Sequence, residues 1–263
     1  MIKFCSLFSG SSGNSIFLSA NGTKLLIDAG LSARKIVEAL YSIGEEPSKL
    51  NAILVTHEHI DHIRGAGVLS RKFNLPVYAN ENTWEQMERE IGPMNVKNKM
   101  VFNTGREFEV GEVCAKAFSI PHDAAEPVGF NFFIQDKKIT TATDIGHINR
   151  ELLQHFERSE LLLLESNHDI EMLKVGPYPW HLKMRILGER GHLSNEMAGK
   201  VVAYLAEKGT RRFLLGHLSK ENNFPELAYQ TVCNELSEKK IIPGWDVTLD
   251  VVLRDRVGKV IEL

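Results

Sequence analysis

His57, His59, Asp61 and His62 put four groups able to bind divalent metal ions within six positions, in the stretch Thr56-His57-Glu58-His59-Ile60-Asp61-His62. Imidazole nitrogen and carboxylate oxygen are the donors that first-row divalent ions accept. Two imidazoles separated by one residue suit one ion, and the Asp-His pair that follows suits a neighbouring ion. A solvated turn has no need of three histidines at this spacing, so the stretch reads as a metal site. Further candidates lie far along the chain: His122 in Pro121-His122-Asp123, Asp144 in Thr143-Asp144-Ile145-Gly146, and His192 and His217 in two Gly-His-Leu-Ser tetrapeptides. His147, His155 and His181 read as ordinary surface or helix positions.

These groups need elements that bring them to one edge. Ile53-Leu54-Val55 is a short β-branched run that fits a buried strand, and a helix can begin at Gly65-Ala66-Gly67. The four ligands are therefore expected on a turn after a strand, since neither a strand nor a helix would aim all four inward. From Lys99 to Thr143 the apolar period is two, through Val101, Phe108, Val110, Val113 and Phe130, which predicts a second run of strands. His122 and Asp144 follow apolar segments in that run, and His217 follows Phe213-Leu214-Leu215. Ser194 reads as the N-cap of a helix over Asn195 to Glu207, so His192 sits at a helix entrance, where the dipole favours anions. His57, His59, Asp61, His62, His122, Asp144 and His217 thus all fall at strand ends, and seven such groups suit two metal ions.

The rest of the chain supplies the frame. Ile2 to Leu7, Ser15 to Leu18 and Lys24 to Ile27 read as an antiparallel meander with its tight hairpin at Asn21-Gly22. The loop Ser9 to Asn14 is either a nest of N–H groups facing a phosphate or a plain turn. Ser32 caps a helix whose Ile36, Val37, Leu40 and Ile43 form one apolar face, and Asn82 or Thr83 starts a helix carrying Trp84, Met87 and Ile91. Helices near Asn149 to Phe156 and Pro225 to Leu236 alternate with a strand at Leu161 to Leu164 and final strands near Val247 and Val260. Strands followed by helices, twice over, describe an α+β fold with two sheets packed face to face and helices outside. No linker or low-complexity tract divides residues 1–263, which predicts one domain.

Composition narrows the function. At 263 residues and 43% hydrophobic the chain can bury a sizeable core. Its formal charge of -3 rules out a global basic excess, so any polyanion site is local. Cys5, Cys114 and Cys233 are odd in number and widely spaced, which fits small buried hydrophobes in a reducing compartment. No apolar run approaches membrane-spanning length, and a soluble, cytoplasmic protein with no membrane partner is expected.

The sequence resembles the metallo-β-lactamase fold superfamily, whose His-x-His-x-Asp-His motif is matched by His57 to His62 and whose later His, Asp and His are matched by His122, Asp144 and His217. The resemblance implies a four-layer αββα sandwich. It implies that His57, His59 and His122 hold one ion, Asp61, His62 and His217 a second, and that Asp144 bridges them, a carboxylate that true β-lactamases of the superfamily lack. Closer similarity is carried by Phe8 to Ser15, Pro121-His122-Asp123-Ala124, Glu165-Ser166-Asn167-His168-Asp169 and both Gly-His-Leu-Ser turns. These resemble the YycJ/WalJ group of nucleic-acid phosphodiesterases, exonucleases acting on DNA from the 5′ end.

The implied reaction is in-line attack on phosphorus by a hydroxide shared between two ions about 3.5–4 Å apart. Asp61 would orient the hydroxide and take its proton, and His192 would stabilise charge on phosphate or protonate the leaving oxygen. His168 contacts phosphate or serves a structural role. Tyr178, Lys183 and Arg185 are candidates for stacking on a base and for phosphate contact. The donor set admits Zn2+, Mn2+ or Fe2+. DNA is favoured over RNA. The competing reading is a small-molecule hydrolase, either a cyclic phosphodiesterase or a thioesterase of glyoxalase II type, the latter lacking here its C-terminal glutathione-binding helices.

Overall fold

Asn21 and Gly22 both adopt positive φ, 51° and 89°, as a two-residue hairpin turn requires. In the computed structural model, which describes residues 1–263, they join β2 (Ser15–Ala20) to β3 (Thr23–Ile27), and β1 (Ile2–Phe8) pairs antiparallel with β2. The strands form two mixed seven-stranded sheets, and the chain divides into two compact units.

The first unit comprises residues 1–117, 124–128 and 253–263. After the meander come α1 (Ala33–Ser42), β4 (Ala52–Leu54), α2 (Ile60–Ile63), α3 (Ala66–Phe73), β5 (Val77–Ala79), α4 (Glu81–Ile91) and β6 (Lys99–Val101). Strands β3 to β6 are successive parallel neighbours, while the C-terminal β14 (Ile261–Glu262) lies antiparallel to β1. Lys99–Val101 was expected to open the second run of strands; it instead extends the first sheet, because its partner is parallel β5 rather than the hairpin of β7 (Glu107–Val110) and β8 (Val113–Ser119) that follows. Ile36 and Leu40 of α1, Leu69 of α3, and Trp84 and Met87 of α4 pack on Leu7, Phe17, Leu26, Ile53 and Val77 of the sheet. Each such side chain contributes about 1.5–3 kcal/mol of burial. Ser32 caps α1 as expected, but α4 begins earlier than its sequence suggested: Asn80, not Asn82, accepts the Thr83 N–H at 2.9 Å. Cys5 is fully buried, and burial pushes its thiol up to about 11, which leaves an inert hydrophobe.

The second unit comprises residues 118–123 and 129–252. Here β9 (Val128–Ile134) and β10 (Lys137–Ala142) pair antiparallel, and β11 (Leu161–Glu165), β12 (Arg212–Gly216) and β13 (Thr248–Val251) continue in parallel. The helices are α5 (Arg150–Phe156), α6 (Ile170–Val175), α7 (Trp180–Leu187), α8 (Asn195–Glu207) and α9 (Pro225–Glu238). Phe156, Val202, Leu205, Val232 and Leu236 cover Leu162, Leu164, Phe213 and Leu215. No helix is long and apolar enough to cross a membrane.

Candidate metal centre

In the first unit the histidine motif is organised by Asp28, the residue directly after β3. Its backbone takes φ 60°, a left-handed conformation that Asp tolerates better than most residues and that turns its side chain off the strand line. One Asp28 carboxylate oxygen accepts the Thr56 N–H at 2.8 Å, and the other accepts the Thr56 hydroxyl at 2.9 Å and His62 Nδ1 at 2.8 Å. Thr56 Oγ1 in turn accepts from His57 Nδ1 at 3.0 Å. With their Nδ1 protons so engaged, His57 and His62 present Nε2 as the lone-pair nitrogen, the tautomer a metal ligand requires.

His57 Nε2 lies 3.0 Å from His59 Nδ1, close to the about 3.3 Å expected of two nitrogens on one tetrahedral zinc. His62 Nε2 lies 3.7 Å from Asp61 Oδ2. The four residues were expected on a turn after a strand, not in a helix. In fact His59 is the N-cap of α2, and Asp61 and His62 lie within that single helical turn. The turn is clamped from behind, since the Asn14 N–H donates to Asp61 O and the Gly30 N–H to Asn14 O, both at 2.8 Å. A Cβ on Gly30 would meet Asp61 O at 1.6 Å, so only glycine permits this approach. The Ser9 to Asn14 loop is locked in the same way: Gly10 N–H donates to Asn14 Oδ1 and Gly13 N–H to Gly10 O, so these groups serve the turn itself.

The second unit gathers His122, Asp144, His192 and His217 around a residue that spacing did not single out, Glu165. It ends the all-leucine run of β11 and is fully buried. Its Oε1 accepts from His192 Nδ1 at 2.9 Å and His217 Nδ1 at 2.7 Å; its Oε2 accepts the N–H groups of Ile145 at 2.7 Å and Leu193 at 3.0 Å. Burial alone would raise its pKa, but the charge and hydrogen bonds of the two histidines outweigh it and hold the carboxylate well below its ordinary range. For His192, burial works against the charged ring, yet Glu165 and Asp144 raise its pKa above the ordinary value. His122 goes the other way, lowered chiefly by burial, and its Nδ1 donates to Gly191 O at 3.2 Å. His122 and His217 therefore also offer Nε2, at 3.8 and 3.5 Å from Asp144 Oδ1. Asp144 and His217, like Asp28, follow strands in left-handed backbone conformations, φ 61° and 56°.

A buried amide cluster fixes both Gly-His-Leu-Ser turns. Asn167 Nδ2 donates to His217 O at 2.8 Å, Asn223 Nδ2 donates to the carbonyls of Ser166 and Asn167, and Asn195 Nδ2 donates to Asn223 Oδ1. Ser194 caps α8 by accepting from Met197 N–H. Asp28, Thr56, Glu165 and the three asparagines are the residues that spacing alone misses. The available signal was a carboxylate closing an apolar strand, which has to find partners when buried.

The candidate substrate contacts separate. His168 is buried and its ring nitrogens meet no protein hydrogen-bond partner, with burial lowering its pKa to about 4. Tyr178 and Lys183 are half-buried, and Lys183 donates to Lys174 O at 2.7 Å. Arg185 is exposed and its guanidinium binds Asp123, the neighbour of His122.

Histidines with pinned Nδ1 protons beside carboxylates, on a two-sheet α+β frame, define a metal-dependent hydrolase class, and the chain belongs to the Beta-lactamase superfamily domain family, whose model matches residues 23–218. Within it the chain falls in the YycJ/WalJ group. It is 42% identical over 246 residues to exodeoxyribonuclease WalJ of Streptococcus pneumoniae serotype 2, covering 93% of this chain and 91% of that one. It is also 42% identical over 239 residues to exodeoxyribonuclease YycJ of Bacillus anthracis, covering 90% of each. The crystal structure of Zn(2+)-bound PqqB from Methylobacterium extorquens superposes with a TM-score of 0.73 at 16% identity over 100% of both chains, a likeness of fold.

Proposed function

We propose that the protein is a nuclease that hydrolyses DNA phosphodiesters from a 5′ end and needs two divalent ions. The observation that carries this reading is the 42% identity, over nine-tenths of each chain, to two proteins named exodeoxyribonucleases. The donor set fits the metals: four buried histidines with Nδ1 engaged by oxygen, three of them, His62, His122 and His217, with a carboxylate within 4 Å of Nε2. His57, His59 and His122 would hold one ion, Asp61, His62 and His217 the other, with Asp144 between them; Zn2+, Mn2+ and Fe2+ all suit such ligands. Bound there, the ions supply Lewis acidity toward phosphate and lower the pKa of water.

The protein's own groups divide the remaining work. Asp61, part exposed beside His62, orients the attacking water and accepts its proton. His192, one-fifth exposed with Nδ1 fixed on Glu165, directs Nε2–H outward as a donor to a phosphate oxygen or the leaving oxygen. The pairing with Glu165 keeps that ring charged nearer neutral pH, which suits an acid. Purified protein with Mn2+ or Zn2+ should shorten a 5′-labelled DNA duplex, and Asp144→Ala should abolish cleavage. Absence of cleavage of DNA and RNA with every divalent metal tried would reject the reading, and turnover of bis-p-nitrophenyl phosphate alone would point to a small-molecule phosphodiesterase.

A further inference from the structure

Helix α7 presents an apolar stripe to solvent. Trp180, Met184 and Leu187 recur at i, i+4 and i+7 on one face and are 73%, 50% and 41% exposed, whereas Ile186 on the opposite side is buried. Scattered surface hydrophobes are ordinary, but a continuous stripe led by a tryptophan marks a contact surface. The same helix carries Lys183 and Arg185 and no acidic residue; with Arg185 paired to Asp123, Lys183 is the charge on it that complements a polyanion.

The end of this helix is joined directly to the His192 turn. His192 N–H donates to Ile186 O at 3.0 Å and Gly191 N–H to Gly188 O at 2.9 Å. A Cβ on Gly191 would lie 2.1 Å from Ile186 O, so the junction is close. Arg185 ties the helix to Asp123 beside His122.

We propose that α7 is a stacking platform for unpaired nucleobases of the strand leading to the site, with Trp180 against the face of a base, Met184 and Leu187 extending the apolar contact, and Lys183 adding positive charge toward the phosphates. Aromatic faces interleaved with cations are how single strands are held without sequence preference. This rests on the nuclease reading and adds where, and by what chemistry, the bases bind. A protein partner would use the aromatic stripe equally well but would not account for its junction with the His192 turn.

The test compares binding of two 5′-labelled, cleavage-resistant phosphorothioate strands of equal length and charge, one of thymidines and one wholly abasic, to the metal-loaded full chain. Wild type should prefer the thymidine strand by roughly 5- to 100-fold, the worth of one stacked base. Trp180→Ala should bring that ratio close to one, Trp180→Phe should restore most of it, and Met184→Ser should lower it less. An equal ratio in wild type and Trp180→Ala overturns the proposal, and if wild type still degrades ordinary DNA the nuclease reading survives that failure. A base-dependent ratio in a protein that cleaves no nucleic acid has the opposite meaning: the platform stands and the nuclease reading falls. A wild-type dimer that becomes monomeric in Trp180→Ala, with the ratio unchanged, would make the stripe a subunit interface and also overturn the proposal.

Discussion

Asp28 and Glu165 do the same task in the two units, yet they reach across very different lengths of chain. Each is a buried carboxylate at a strand end that fixes the tautomer of histidines with metal-ligand character. Asp28 grips one short segment, Thr56 to His62. Glu165 gathers three segments, at Ile145, at His192 and Leu193, and at His217. The first cluster is thus a folded motif with one support. The second exists only once β10, β11, the turn before α8, and β12 have come together.

The largest consequence should follow from removing the gathering group. Glu165→Ala leaves two buried N–H groups and two imidazoles without their shared acceptor, and loss of a partner from a buried charged network costs about 3–5 kcal/mol. Urea unfolding should register that loss, and nuclease activity should fall below detection. Glu165→Gln tests the charge at nearly constant shape: it should keep the fold better but lower the pKa of His192, so the alkaline limb of the pH–rate profile, where the required acid loses its proton, moves to lower pH. An unchanged limb would show that Glu165 only packs.

The same contrast explains what could be read in advance. Residues 57–62 announce a metal site because spacing along a chain is visible in a sequence, whereas Asp28, 28 residues before Thr56, carries no such signal. In the second unit His122, Asp144, His192 and His217 stand singly, legible as candidates from strand ends and from the two Gly-His-Leu-Ser tetrapeptides, while their grouping around particular ions came only through resemblance to a family. Glu165, 27 residues before His192 and 52 before His217, is joined to them only by parallel strand order, which periodicity does not determine. Local elements were largely legible from caps, the Asn21-Gly22 turn and apolar periods. Lys99–Val101 was misassigned because a short edge strand has too few residues to reveal its partner.

A second difference is a ring that the first cluster does not contain. His168 is buried among the second cluster's supports with its nitrogens unsatisfied, and its folded pKa is about 4 against the ordinary 6.5. Above pH 6.5 the ring is neutral in folded and unfolded chain alike and titration does not affect stability. As pH falls from 6.5 toward 4 the unfolded chain takes up a proton that the folded chain refuses, so stability declines by about 3 kcal/mol in total. His168→Gln should flatten that part of the stability–pH curve relative to wild type, measured by urea unfolding at pH 7, 5.5 and 4.5. Parallel curves would show that His168 finds a proton acceptor in solution.

Asp28→Asn should have the mildest effect of the three and is the sharpest test of the local cluster. The amide oxygen can still accept the Thr56 N–H, so the backbone of the turn is kept. The amide NH2 would then face Thr56 Oγ1 and His62 Nδ1, where two acceptors are needed. His62 would move its proton to Nε2 and turn a donor toward the place where a ligand nitrogen belongs. His57 is one bond further away: its Nδ1 rests on the Thr56 hydroxyl oxygen, which can accept from the ring and from the new amide together. Metal affinity should therefore weaken by about 10- to 100-fold at the weaker of two ions, with the tighter one retained and the thermal midpoint of the apoprotein little changed. On the proposed two-ion reading, metal content by elemental analysis should drop from two ions per chain toward one. Equal loss of both ions would mean that Asp28 supports the whole motif, and that Thr56 does not separate His57 from it.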